Sequence, residues 1–199
     1  MEGYLSSSII GRAAESKKIK IKFYNPRDFT KDKWARVDRR PYGGGPGMVL
    51  EPEAILKAVQ KAIGKKKAEI YFFDRSGPQF TNDTARTAVK KKTKDMVLIC
   101  GHYEGIDARV QKILKAKKVS VGPYTLTGGE LPALVVIDAL SRQIQGVLGR
   151  FDSIEEERVS SSEVYTRPEV FVWKGKKYRV PKVLLSGNHA AIDDWKNAR

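Results

Sequence analysis

The distribution of apolar residues along the chain predicts strands and helices in alternation. Polar and apolar residues alternate from Lys18 to Phe23, which predicts a strand with one buried face. The short apolar runs Ile70–Phe73 and Met96–Cys100 are typical of strands that are buried on both faces of a parallel sheet. Between the alternating segment and the first apolar run, residues 52–63 have apolar side chains at helical spacing. They are followed by Gly64, a residue suited to a helix C-terminus.

Two further helices are predicted around the second apolar run. One covers residues 82–92, with Asn82 as its N-cap. The other runs from about Ile106 to Lys115 and turns four apolar residues inward: Ile106, Val110, Ile113 and Leu114. A chain that alternates strand and helix in this way predicts an α/β fold with a parallel sheet.

The C-terminal half changes character twice. Residues 131–140 are apolar nearly all round, so this helix should be enclosed by its own domain or by a partner subunit. Residues 149–162 are polar and lack periodicity, which predicts a linker or a mobile lid. Residues 163–199 are too few to build a large core and are expected to form a small, mostly helical module.

Composition narrows the functional classes. The chain has 199 residues with 38 Lys and Arg against 23 Asp and Glu, a net charge of +15. This charge favours a polyanionic partner, above all nucleic acid, although any single lysine group more often serves only to keep the domain soluble. A single cysteine, Cys100, forms no internal disulfide, and no apolar run approaches the length of a membrane span. We therefore expect a cytoplasmic protein that does not insert into membranes.

Three glycine-bearing loops are the candidates for chemistry. Residues 40–48 hold glycine and proline at a density that neither helix nor strand tolerates, which predicts a shaped loop. Residues 100–107 and 121–132 each follow a predicted buried strand, at the sheet edge where open α/β sheets bind ligands. Glycines there allow backbone groups to approach a flat ligand, and Tyr103, Tyr124 and Leu126 can enclose it. Any one of these loops is more often a simple turn.

Other kinds of site have little support. His102 and His189 are the only histidines, and with one cysteine they make a thiolate or imidazole metal site improbable. Neither a phosphate-binding loop with a terminal Gly-Lys-Ser/Thr nor a serine-nucleophile elbow is present.

Six motifs together resemble one family. They are RPYGGGPGM (40–48), CGHYEGID (100–107), GPYTLTGGELPAL (122–134), GVLG (146–149), YTRP (165–168) and LLSGNHA (184–190). In this order and spacing they resemble the bacterial tRNA (guanine-N1)-methyltransferases, the TrmD family of the SPOUT superfamily. The resemblance implies a parallel α/β sheet whose C-terminal part forms a trefoil knot, and a homodimer with its active site at the subunit interface. It also implies methylation of N1 of guanosine 37 in tRNA with S-adenosyl-L-methionine, and suggests Mg²⁺ as a further requirement.

The resemblance assigns the site residues. The knot loops and the end of one strand would bind the cofactor: Phe72, Phe73, Gly101, Tyr103, Glu104, Gly105, Val121, Gly122, Pro123, Tyr124, Thr125, Leu126, Gly128, Gly129 and Pro132. Arg142 matches the family arginine that stabilises the guanine O6, and Glu157 falls where the family has its aspartate general base, with Glu156 as second candidate. The substrate residues would be Asp38, Ser186, Asn188 and His189.

The chain also departs from the family pattern. His102 stands where the family commonly has arginine, and Asp74-Arg75-Ser76-Gly77 replaces its usual Ser-Pro-Gln-Gly. Residues 1–148 would form the knotted cofactor domain without the family's first strand, and 149–162 the linker or lid. Residues 163–199 would form a shortened C-terminal tRNA-binding module. Two alternatives stay open: a related SPOUT enzyme with another RNA target, and a non-catalytic RNA-binding module with a reduced fold.

Overall fold

The computed structural model of the chain describes residues 1–91, 93, 95–148 and 163–198. The chain divides into two compact units, Met1–Val147 and Leu148–Arg199. The first unit contains the helices α1 (Glu2–Leu5), α2 (Ser8–Glu15), α3 (Pro52–Ile63), α4 (Asn82–Lys90), α5 (Ala108–Leu114) and α6 (Glu130–Arg142). Its strands are β1 (Asp38–Arg39), β2 (Val49–Leu50), β3 (Ala68–Phe73), β4 (Asp95–Ile99) and β5 (Lys117–Val119).

A three-stranded parallel sheet forms the centre of the first unit, in the order β4-β3-β5. The two apolar runs predicted as buried strands are β3 and β4, so that prediction is confirmed. Alternate residues of β3 serve the two faces of the sheet: Phe72 packs in one cluster and Tyr71 in the other. The α/β class predicted from the sequence is therefore correct.

Helices cover both faces of this sheet. On one face Ile55 and Val59 of α3 and Val110 of α5 join Phe72 and Ile99 in the larger core cluster. On the other face, Val136 of α6 packs with Tyr71 and Val119, and α6 also packs against α4. The predicted helix at residues 52–63 is confirmed as α3, with Gly64 at φ 59° after its last turn. Burial on both faces explains why the strands carry continuous apolar runs.

The predicted strand from Lys18 to Phe23 is wrong, since this segment pairs with no strand in the described structure. Ile19 and Ile21 are half-buried while Lys20 and Lys22 are exposed, so the alternation reports a segment covered on one side. A β-strand also needs a neighbouring strand to which it hydrogen-bonds, and the alternation of polar and apolar residues does not indicate whether such a neighbour exists.

Two smaller predictions also need correction. The N-cap of α4 is Thr81, whose hydroxyl accepts a hydrogen bond from the Thr84 N–H, and Asn82 is the first residue of the helix. In α5, Val110 is fully buried as expected, but Ile113 is 61% exposed. The helix begins at Ala108, after the cap Asp107, which places Ile113 on its outer side.

The second unit holds a hairpin as well as helices. Strands β6 (Val170–Trp173) and β7 (Lys176–Arg179) pair antiparallel, and a short 3₁₀ helix (Lys182–Leu185) and α7 (His189–Asn197) follow. The helices expected in this module are present among the described residues, together with a hairpin that the sequence analysis did not predict. The missed signal is the run of β-branched and aromatic residues Val170–Trp173, followed by Lys174-Gly175 and then by Tyr178 and Val180, which is a hairpin pattern.

Candidate functional site

The three glycine-bearing loops of the first unit meet beside the carboxyl ends of the parallel strands. Backbone hydrogen bonds join the first loop to the second: the Glu104 N–H donates to the Met48 carbonyl at 3.0 Å, and the Leu50 N–H to the Gly105 carbonyl at 3.0 Å. The second loop is joined to the third, since the Gly129 N–H donates to the Gly101 carbonyl at 2.8 Å. The sequence placed the second and third loops at one sheet edge, and the structure brings all three loops into direct contact.

The contact between the second and third loops leaves no room for a side chain at Gly129. A Cβ there would lie 2.5 Å from the Cys100 Cα and 2.8 Å from the Gly101 nitrogen, and both of these atoms are backbone. Beside it, His102 Nε2 lies 2.5 Å from Glu130 Oε1, which ties the second loop to the first turn of α6. Backbone and side chains together therefore hold these two loops in one arrangement.

The first loop is the tip of a small hairpin made by β1 and β2. Asp38 of β1 pairs with Leu50 of β2, and the Arg39 Nε lies 3.0 Å from Glu51 Oε1 at the base of the hairpin. Gly43, Gly44, Gly45 and Gly47 all have positive φ between 81° and 105°. Tyr42 is fully exposed. A hairpin base therefore fixes the loop, while its tip projects into solvent.

A fourth loop, residues 74–80, also belongs to this edge, and the sequence pattern alone did not single it out. The Asp74 N–H donates to the Val119 carbonyl at 3.0 Å, and the Phe80 N–H to the Ser120 carbonyl at 2.7 Å. The Asp74 carboxylate accepts a hydrogen bond from the Ser76 N–H at 2.8 Å and lies 2.7 Å from Lys118 Nζ. Lys118 and these hydrogen bonds lower the pKa of Asp74 to about 2.

We expect Asp74→Asn to lower the free energy of unfolding at neutral pH. We also expect this free energy to depend less on pH in the acid range than it does in the wild type. Because the pKa of Asp74 is lower in the folded than in the unfolded chain, its contribution, on the order of 1 to 2 kcal/mol, is complete above about pH 4 and is lost as pH falls toward 2. Urea unfolding at pH 7 and pH 3 measures it. Asp95→Asn, at an exposed carboxylate paired with Lys66, is the control. An equal pH dependence in both variants would contradict the assignment.

The exposed groups of the second and third loops suit a flat, partly polar molecule. Tyr103 of the second loop is 60% exposed, and Tyr124 and Leu126 of the third loop are 53% and 37% exposed. The peptide N–H groups of residues 124–126 make no hydrogen bond within the described residues, so they can donate to a ligand. The Tyr124 hydroxyl donates to the Val121 carbonyl at 3.0 Å, which fixes the ring against Gly122. Apolar rings and free peptide donors together fit an adenosine-containing cofactor.

The remaining residues predicted to bind the cofactor fall into two groups. Most lie in the joined second and third loops: Gly101, Glu104, Gly105, Val121, Gly122, Pro123, Thr125, Gly128 and Gly129. Pro132 follows them, buried in the first turn of α6. Phe72 and Phe73 differ, because their rings pack in the two core clusters on opposite faces of the sheet. Their backbone at the end of β3 is what lies close to the loops.

Cys100 lies directly beneath the joined loops. Burial, with a smaller effect from the negative charge of Glu130, raises the pKa of the Cys100 thiol to about 12. The thiol is therefore protonated at neutral pH and is no nucleophile there.

Arg142, predicted to stabilise the guanine O6, is the last residue of α6 and is half-buried. Glu130 begins the same helix beside the loops, so twelve helical steps of about 1.5 Å put the two residues roughly 18 Å apart along the axis. The loops and Arg142 of one chain are thus at opposite ends of α6. Glu157 and Glu156 lie outside the described residues.

The predicted substrate residues of the second unit shape the start of α7. The Asn188 side chain caps the helix by accepting a hydrogen bond from the Ala191 N–H at 3.2 Å. The Ser186 hydroxyl accepts from the Asn188 N–H at 3.1 Å, and His189 is exposed in the first turn. These contacts fix the local backbone and leave the His189 ring accessible.

The described part of the chain lacks the features of a metal site and of a membrane span. The described residues contain no cluster of three or more His, Cys, Asp or Glu side chains that could hold a metal ion. Among the same residues, no helix is both long and apolar enough to span a membrane.

These features define a class of protein. An α/β sheet with covered faces and hydrogen-bonded glycine loops at its carboxyl edge is the architecture of a cofactor-binding domain. The family model of tRNA (guanine-1)-methyltransferase TrmD matches residues 1–199.

Curated relatives give the same answer. The tRNA (guanine-N(1)-)-methyltransferase of Caldanaerobacter subterraneus subsp. tengcongensis is 46% identical over 100% of this chain and 81% of its own length. The enzyme of that name from Dictyoglomus turgidum is 44% identical over 98% of this chain and 78% of its own, and one from Campylobacter jejuni is 42% identical over 98% and 85%. The chain belongs to the TrmD family of tRNA (guanine-1)-methyltransferases, and the resemblance drawn from its motifs is confirmed.

Proposed function

We propose that this chain methylates N1 of guanosine 37 in tRNA with S-adenosyl-L-methionine, as one subunit of a homodimer. The observation that carries the proposal is the joining of the glycine loops at the sheet edge by backbone hydrogen bonds, in a chain that the family model matches from end to end. The net charge of +15 suits an RNA substrate.

The second and third loops would hold the cofactor, with the exposed side chains of Tyr103, Tyr124 and Leu126 against it. Its sulfonium group supplies an electrophilic methyl when bound. We propose that the chain reaches this arrangement by threading its C-terminal part as a trefoil knot. The close packing of Gly129 on the Cys100 backbone supports such a threading, because it requires the third loop to lie against the second without any intervening side chain.

The target nitrogen makes a specific demand on the protein. N1 of guanine carries a proton, so a base must accept that proton as the methyl group arrives, and negative charge moves to O6. We assign the base to Glu157 and the stabilisation of O6 to the Arg142 guanidinium. Asp38, half-buried beside the first loop, would accept hydrogen bonds from the guanine edge. A base in an anticodon loop must be turned out of its stack, which costs a few kcal/mol.

The exposed face of α6 supports the homodimer. Leu131 and Val135 are 57% and 50% exposed and lie one helical turn apart, whereas Asp138 on the same side of the helix accepts a hydrogen bond from the Tyr4 hydroxyl of its own chain. The sequence predicts that its own domain or a partner subunit encloses this helix. Because Leu131 and Val135 are exposed in one chain, we propose that the partner subunit covers them. Since one chain keeps its loops and its Arg142 at opposite ends of α6, a second subunit running in the other direction would complete each site.

This arrangement makes a prediction for mixed dimers. We expect Arg142→Ala and Gly129→Ala homodimers each to lose about 100-fold or more in methyl transfer. Refolding the two chains together gives mixed dimers with one site that combines intact loops from one chain and an intact Arg142 from the other. Random pairing then restores about a quarter of the wild-type activity. Activity no greater than the sum of the two homodimers would contradict a site shared between subunits.

Methyl transfer to unmodified tRNA tests the proposed function directly. We expect transfer to a transcript with guanosine at position 37 and none when adenosine replaces it. Transfer indifferent to that base would favour a related enzyme with another RNA target, and cofactor binding without any transfer would favour a non-catalytic RNA-binding module. Repeating the assay with a chelator tests the suggested need for Mg²⁺. A tRNA substrate also implies that the enzyme works in the cytoplasm.

A further inference from the structure

One face of the β6–β7 hairpin carries three exposed aromatic rings. Phe171 pairs with Tyr178, and Trp173 with Lys176, so these four side chains share a face, because residues directly opposite in an antiparallel pair point to the same side. Phe171, Trp173 and Tyr178 are 53%, 58% and 49% exposed. Large rings are seldom left this open without a binding partner.

The rings are arranged as a surface on which flat molecules can stack. The Phe171 and Trp173 planes lie within 13° of each other, with centroids 6.3 Å apart. The hairpin holds them there through a two-residue turn, Lys174-Gly175, whose φ values of 50° and 77° match the tight turn that twisted hairpins prefer. The register, and with it the shared face, is therefore fixed by the backbone.

Apart from Glu169, which directly precedes β6, the charges around these rings are positive. Lys176 Nζ lies 5.4 Å from the Tyr178 ring centroid, on the same face. The hairpin and the 3₁₀ helix after it contribute five cations, and residues 170–192 contain no Asp or Glu: Lys174, Lys176, Lys177, Arg179 and Lys182. Aromatic rings surrounded by cations suit unpaired nucleotides, whose bases stack while the phosphates pair with lysine. A partner protein with a purely apolar surface would make no favourable interaction with those cations.

We propose that this face, formed by Phe171, Trp173, Lys176 and Tyr178, binds unpaired nucleotides of the RNA substrate by stacking. The proposal rests on the proposed function in that the RNA is the tRNA substrate, and its single-stranded loops are the part that offers free base faces. Stacking tolerates any base, so the face adds affinity and leaves the choice of guanosine to the catalytic site.

The opposite face of the same hairpin provides matched controls. Val172 is 54% exposed on the strand that carries Trp173, and Lys177 neighbours Lys176, yet both point to the other side. With the full-length chain and a fluorescent unmodified tRNA transcript, we expect Trp173→Ala to raise the Kd about 5- to 100-fold. Val172→Ala should change it less than about 2-fold, since it removes no stacking surface. Lys176→Gln should weaken binding more than Lys177→Gln.

Three further measurements separate stacking from other causes. Trp173→Phe keeps a ring and should recover most of the affinity, which guards against a folding defect in the alanine variant. A fully paired RNA duplex, which offers no free base faces, should bind Trp173→Ala and Val172→Ala equally. In steady state the change should lie in the KM for tRNA, with kcat and cofactor affinity unchanged.

Three results would overturn the proposed stacking face. The first is an equal loss of affinity for tRNA and for the duplex in Trp173→Ala, and the second is no loss of affinity at all. The third is a change in sedimentation mass of this variant with unchanged RNA affinity, which would mean that a second copy covers the face. Binding is measured without methyl transfer, so a Trp173 effect on tRNA affinity in a chain that methylates nothing would refute the proposed function alone.

Discussion

Replacing Gly129 by alanine should abolish cofactor binding while leaving the sheet folded. The new Cβ would lie 2.5 Å from the Cys100 Cα, closer than real carbon contacts, and neither backbone can yield without separating the second and third loops. Displacement on the order of 1 Å at such a site costs about 100-fold, so we expect calorimetry to find cofactor affinity reduced by more than that factor.

The φ of Gly129 is −81°, a value open to any residue, so the loss would be steric and not conformational. Gly3→Ala is the control, because a Cβ there meets nothing within 4 Å. Far-UV circular dichroism of both variants should match the wild type. Tight cofactor binding by Gly129→Ala would mean that the joined loops are not the cofactor site.

Glu157→Gln should lower kcat by about 100- to 10,000-fold and leave the affinities for cofactor and tRNA unchanged. Glutamine keeps the shape of the side chain but accepts no proton, so only the step that removes the N1 proton is lost. Single-turnover methyl transfer measured from pH 6 to 9 checks this.

Glu156→Gln is the matched control, since it removes a neighbouring carboxylate of the same size. We expect it to retain activity within about 3-fold. The reverse result, with Glu156→Gln inactive and Glu157→Gln active, would move the base to Glu156. Two active variants would remove both from the chemistry.

The parts of the fold that depend on local pattern were predictable from sequence. The strands β3 and β4 are covered on both faces of the sheet, so their sequences are apolar runs. The helix α3 was predictable from the helical spacing of its apolar residues and from Gly64 at its end. The segment from Lys18 to Phe23 misled because alternation reveals burial on one side but not the pairing partner. The hairpin of the second unit was missed because its aromatic residues are exposed, and expectation ties such residues to a core.

The candidate site also has parts that could be predicted from sequence and parts that could not. Loops that follow parallel strands must meet at one edge, so their gathering could be argued from the chain alone. The role of residues 74–80 could not, because it depends on hydrogen bonds to Val119 and Ser120 that no spacing reveals. The relation of Arg142 to the loops is also invisible in sequence, since it depends on a helix length and on a second chain.

The thiol of Cys100 acquires a particular meaning once a methyl donor is proposed next to it. A sulfonium cofactor is an alkylating agent, and a cysteine thiolate is among the best acceptors that a protein offers. With its pKa raised to about 12, Cys100 leaves only about one molecule in 100,000 ionised at pH 7. Burial thus keeps the Cys100 thiol in its protonated form, which is a poor acceptor for a methyl group.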